Sequence, residues 1–97
     1  MAFLILSYNV TDSIQLSAYR EAATPVLLGP NSGKLITSTD ETIHLPEATS
    51  SGTHTVILEF ESVDRARAVY DSAEYQALVR QRLAASNPTI AMIVPSM

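Results

Sequence analysis

The chemistry open to this chain rests on a few side chains: four tyrosines, two histidines and no cysteine. Tyr19, Tyr70 and Tyr75 fall on helical apolar stripes and Tyr8 on an apolar strand face, so all four are expected between helices and sheet. Their hydroxyls are candidates to line a ligand pocket, with Tyr19 also a candidate acid or base; rings packed in the core with hydroxyls at its rim are the plainer reading. Asn9, Ser72 and Arg80 are the polar groups expected to assist such a pocket. Glu59 alternates onto the opposite face of its strand. There it could serve as general acid or base in a dry cavity, or simply pair across the strands with Lys34. His44 and His54 lie at the ends of a long polar connection, and His44 is a third catalytic candidate. A His–Ser or His–Glu pair is conceivable, but no nucleophile elbow, P-loop or dinucleotide fingerprint occurs, and no cofactor is expected. Zinc needs three or four ligands, so two histidines without cysteine argue against a metal. Arg80 and Arg82 point to different sides of the last helix. One could neutralise a ligand carboxylate; surface pairing is the plainer reading.

Composition narrows the class. The 97 residues suit one domain spanning 1–97, and a 46% hydrophobic content supplies one core and an interface. The net charge of −4 and six spread basic residues argue against nucleic acid and against an anionic membrane surface. No apolar run approaches the ~18 residues of a membrane span. The apolar start lacks a positive n-region and reads as a strand, not a leader. The sequon Asn9-Val10-Thr11 is therefore taken as chance, and with no cysteine the cytoplasm is the expected location.

Periodicity places these groups on elements. Residues 2–10 alternate as a strand with Leu4, Leu6, Tyr8 and Val10 on one face and Phe3 and Ile5 on the other. Thr11, Asp12 and Ser13 offer N-cap chemistry for a helix to about Leu28, with Leu16, Tyr19, Ala23, Val26 and Leu27 inward and Pro25 disturbing its end. The break at 29–33 leads to a short strand, about 34–38. Residues 39–53 read as a long connection with a possible strand at 43–45. Residues 54–61 form the strongest strand, with Val56, Leu58 and Phe60 opposite Thr55, Ile57 and Glu59. Ser62 caps a helix carrying Ala66, Val69 and Tyr70 inward. Ser72 recaps a second piece to about Ala85, with Tyr75, Leu78, Val79 and Leu83 as its stripe. Asn87-Pro88 stops it, and 89–95 make the last strand.

The order β-α-β-β-α-β predicts an α+β, ferredoxin-like fold: an antiparallel sheet in the order 4-1-3-2, with both helical segments on one face. The other face is still apolar at Phe3, Ile5, Ile57 and along the last strand, which predicts a homodimer through it. An RNA-recognition module would place stacking rings on the third strand, where Thr55 and Ile57 stand instead.

Several segments resemble the domain-of-unknown-function family 1330, within the dimeric α+β barrel superfamily. They are Tyr19, Asn31-Ser32-Gly33-Lys34-Leu35, Leu58-Glu59-Phe60-Glu61-Ser62, and above all Tyr70-Asp71-Ser72-Ala73-Glu74-Tyr75-Gln76 followed by Arg80. The chain departs from the family where Ala73 replaces a usual Pro, and where Ser32 and Lys34 replace Gly and Arg. A lysine cannot make the bidentate contact of a guanidinium, which weakens Lys34 as an anion clamp. The resemblance covers nearly the whole chain and implies a dimeric α+β barrel without implying a reaction. Superfamily analogy suggests a protein that binds or transforms a small aromatic or polyketide-like molecule without metal or nucleotide. The alternative is a non-catalytic dimeric module.

Overall fold

Seven elements follow one another in the computed structural model, which describes residues 1–49 and 52–97. They are β1 (Ala2–Val10), α1 (Ser13–Leu27), β2 (Lys34–Thr39), β3 (His54–Phe60), α2 (Val63–Tyr70), α3 (Ala73–Ala84) and β4 (Ser86–Pro95). The strands form one sheet in the order β2-β3-β1-β4, every neighbour antiparallel. This is the predicted 4-1-3-2 order read from the other edge.

Each helix begins where a short polar side chain can accept an unpaired backbone N–H. Asp12 accepts from Gln15, Ser62 from Arg65 and Ser72 from Tyr75. Pro25 falls in the last turn of α1, where it offers no N–H to the carbonyl of exposed Glu21, and the helix closes with the Leu28 N–H on the Thr24 carbonyl. Gly33 then passes under the end of α1. A β-carbon there would sit 2.9 Å from both the Leu27 carbonyl oxygen and the Phe60 ring, so only glycine fits.

Leu4, Leu6 and Tyr8 from β1 and Leu58 and Phe60 from β3 are buried against Leu16, Tyr19, Ala23 and Leu27 of α1 and Ala66, Val69, Tyr75 and Val79 of α2 and α3. The predicted stripes hold except at the end of α3. Leu83 is exposed and Arg82 is buried instead. At 100° per residue, position 82 returns to within 20° of Tyr75, whereas position 83 lies about 80° away. Helix geometry overrides side-chain polarity here.

Two further expectations are corrected. Residues 43–45 form no strand, and Ile43 and Leu45 are exposed. The segment leaves the sheet because its polar groups bond sideways: Thr42 Oγ1 to Thr55 Oγ1, and His44 Nε2–H to the Gly52 carbonyl. β4 begins at Ser86 rather than 89, because Pro88 sits beside a register shift on an edge strand, where a missing N–H is tolerated.

The sheet's second face carries Phe3, Ile5, Ile57, Ile90, Met92 and Val94, by alternation from the buried row. At one end the connection folds over it. Ser7 Oγ and Thr55 Oγ1 bond there at 3.1 Å, and Gly52 lies against Ser7.

Candidate functional site

The helix-facing row of β3 runs Phe60, Leu58, Val56, His54, so alternation puts the His54 imidazole at its end, 4% exposed. On β2, unbroken alternation from Leu35 would bring Thr37 and Thr39 to that face and turn Ser38 away. A bulge at Ile36 reverses the parity: Leu35 opposes Leu58, and Ser38 opposes Val56. Ser38 therefore shares the helix-facing side with His54. Its Oγ lies 3.0 Å from His54 Nε2, and Asp40 Oδ1 lies 2.5 Å from His54 Nδ1.

A carboxylate only accepts, so Nδ1–H donates to Asp40. Nε2 is left as the acceptor for the Ser38 hydroxyl. The Tyr8 ring packs on the imidazole with centroids 5.3 Å apart and holds its plane. The hydrogen bond from His54 and the electrostatics of that ring hold the Asp40 carboxyl below the usual carboxylate range, and the Arg20 charge adds to this.

Ser38 opens onto a cavity of about 130 Å³ between α1 and the sheet. Its walls are aliphatic, chiefly Leu6, Leu27, Val56 and Leu58. Tyr8, Tyr19, Arg20, Thr24 and Ser38 are the polar residues on its border. Arg20 is half-buried, and its Nε has no hydrogen-bond partner among the described residues.

Behind the cavity, the Tyr19 and Tyr75 hydroxyls share a hydrogen bond of 2.6 Å, with the rings edge to face. Burial pushes both phenols above their ordinary value, Tyr19 the further. Tyr75 adds to the rise at Tyr19, while Arg82 opposes it at both rings. Both hydroxyls are therefore protonated at neutral pH. Arg82 is buried with its Nε also unpartnered among the described residues.

The other candidates are scattered. Tyr70 packs on Tyr75 but opens into a separate hollow between α2 and β4, with Leu4, Val63, Arg67 and Met92. Ser72 caps α3, Asn9 accepts the Thr53 N–H, and Arg80 is exposed. Lys34 and Glu59 stand opposite each other on the second face and border a shallow hollow below Gly29. Their charged groups form no ion pair among the described residues. His44 bonds the Gly52 carbonyl, away from the cavity.

Sequence reasoning gathered Tyr8 and Tyr19 but missed Arg20, Ser38, Asp40 and the role of His54. Nothing in the local sequence marks the bulge that joins the last three.

Sheet order and helix placement define a ferredoxin-like α+β protein. The chain belongs to the family described as a domain of unknown function (DUF1330), whose profile matches residues 1–97. No curated protein matches it. Among solved structures it is similar to the crystal structure of HapK from Hahella chejuensis, at 10% identity and a TM-score of 0.60, over 100% of this chain and 93% of that one. At that identity the likeness concerns the fold alone.

Proposed function

We propose that the chain is a homodimeric protein that binds, and acts on, a small organic molecule in the cavity between α1 and the sheet. The observation that carries this reading is the cavity itself: aliphatic walls with Tyr19, Arg20 and Ser38 converging on one space. At about 130 Å³ it is close to the ~150 Å³ apolar cavity that accepts benzene. It is smaller than the ~300–1,000 Å³ of drug-sized sites. The ligand is accordingly a single aromatic ring or a short acyl chain, and a larger molecule would extend through the open side. Arg20 favours one that carries an oxygen acceptor or a carboxylate.

The second sheet face supports the dimer. Phe3, Ile5, Ile57, Ile90, Met92 and Val94 form one apolar surface, bordered by one cation and one anion at Lys34 and Glu59. Such a face is complementary to a second copy of itself about a two-fold axis.

Thermal unfolding with benzoate, phenol and cyclohexanol tests the cavity. A ligand at one hundred times its Kd should add ~2.7 kcal/mol to stability. Ala23→Leu, which fills the cavity from α1, should remove the shift. Equal shifts in both proteins would refute the reading.

A further inference from the structure

We propose that Ser38, His54 and Asp40 form a proton relay that makes Ser38 Oγ a nucleophile toward carboxylic esters of small apolar acids, with Arg20 as the group that receives the developing negative charge. The proposal rests on the cavity reading above and adds the reaction to it.

The geometry sets out the roles in turn. Ser38 Oγ is 3.0 Å from Nε2, the nitrogen left to accept once Nδ1–H is committed to Asp40 at 2.5 Å. Such a constellation is recognised by geometry and roles rather than by chain order. The imidazole is fixed by burial and by the Tyr8 ring, whereas Ser38 is exposed and borders the cavity. A base held rigidly behind a reachable hydroxyl is the arrangement nucleophilic catalysis requires. Arg20 borders the same cavity, and its buried Nε–H lacks a protein acceptor among the described residues. A buried donor without a partner is costly, and an oxyanion formed at Ser38 would satisfy it. The aliphatic walls choose the acyl group: acetyl, butyryl or benzoyl fits the space, and a charged acyl group does not.

The reaction is an acyl transfer in two halves. Ser38 Oγ attacks the ester carbonyl carbon as its proton passes to His54 Nε2, and the carbonyl oxygen becomes an oxyanion facing Arg20. The intermediate collapses, the bond to the alcohol oxygen breaks, and the alcohol leaves with the proton from Nε2. This leaves acyl-Ser38. Water then attacks the acyl carbon and gives one proton to Nε2. The acid departs, and Ser38 Oγ takes that proton back. Asp40 stays ionised throughout, orienting the ring and balancing the imidazolium.

The test uses p-nitrophenyl acetate, butyrate and benzoate with the full chain. The expected result is a burst of p-nitrophenolate stoichiometric with protein, and an acyl group recovered by mass spectrometry on the peptide carrying Ser38. Ser38→Ala should abolish burst and label. Ser38→Cys should be acylated faster than Ser38→Cys combined with Asp40→Asn, a difference that an exposed thiol reacting unaided would not show. Asp40→Asn, at an exposed side chain, should slow acylation by at least about 100-fold while leaving the thermal midpoint near wild type. Arg20→Met should lower kcat more than it raises KM. No burst, a burst unchanged in Ser38→Ala, or a label confined to other residues would overturn the relay. Thermal shifts with benzamide in the same samples separate the two claims: a shift without acylation leaves the cavity reading standing and removes only the relay.

Discussion

Tyr19 and Tyr75 illustrate how burial governs individual groups in this chain. Both phenols are raised above 10.0, so an unfolded chain loses these protons at a lower pH than the folded one. Their contribution to stability is fully present below pH 10 and is lost as pH rises beyond it. Each adds a slope of about −1.4 kcal/mol per pH unit there. Alkaline unfolding followed by circular dichroism should thus begin near pH 10, and Tyr19→Phe should flatten the slope by about one such increment. An unchanged slope would mean that the pair is solvated. Asp40 has the opposite sign. Its carboxyl is held below 3.8 by the hydrogen bond from His54, so the pair's contribution, small because the Asp40 side chain is exposed, is complete above pH 3.8 and is lost as pH falls through the lower folded value. Asp40→Asn should erase that acid dependence without changing the alkaline one. Arg82 shows where residue-level reading fails: a stripe chosen by hydrophobicity selects Leu83, whereas the angle from Tyr75 selects Arg82.

Elements were more legible than the site they hold. Asp12, Ser62 and Ser72 announce three helix starts by residue type, and strand parity announces which side of β1 and β3 faces the helices. The bulge at Ile36 is different. Leu, Ile and Thr suit a strand in either parity, so nothing in Lys34–Thr39 reports that one residue is skipped in pairing. Yet that skip moves Ser38 from the second face to the side of His54. Deleting Ile36 should remove the bulge and leave Leu35, Thr37 and Ser38 paired one-to-one with Leu58, Ile57 and Val56, so that Ser38 stays beside the imidazole. Any chemistry at Ser38 should persist with the sheet, as reported by amide exchange of β1 and β3, and its loss would show that the bulge itself sets the Ser38 position. The connection after β2 resisted prediction for a similar reason, because hydroxyl contacts made with β1 and β3 organise it. Gly52 is its tight point, where a β-carbon would meet the Tyr8 backbone nitrogen at 2.7 Å. Gly52→Ala should therefore destabilise the fold by roughly 1–3 kcal/mol in urea titrations, and a neutral effect would show that the connection shifts freely.

For the whole molecule, the sheet divides two tasks. Its helix-facing side holds the core and the cavity; its second side is apolar and, among the described residues, covered at the end near Ser7 and Thr55. The dimer proposed for that second side predicts a sedimenting species of twice the 10.5 kDa chain mass at micromolar concentration. Ile57→Lys should convert it to a monomer with unchanged far-ultraviolet dichroism. A monomeric wild-type chain would contradict the dimer but leave the cavity intact, since every residue bordering the cavity comes from one chain. Strand order was legible from the succession of elements, and the uneven apolarity of the sheet from alternation. The gap between α1 and the sheet was not, because the same aliphatic residues fill a core or wall a cavity, depending on how closely the helix approaches.

That gap carries the account. Its most direct test is a titration of the isotope-labelled chain with benzoate, following methyl resonances by NMR. Shifts should concentrate at Leu6, Leu27, Val56 and Leu58, which wall the cavity, and should vanish in Ala23→Leu. Methyl shifts absent from these four residues, or found instead at Ile5, Ile57 and Ile90 on the second face, would contradict it.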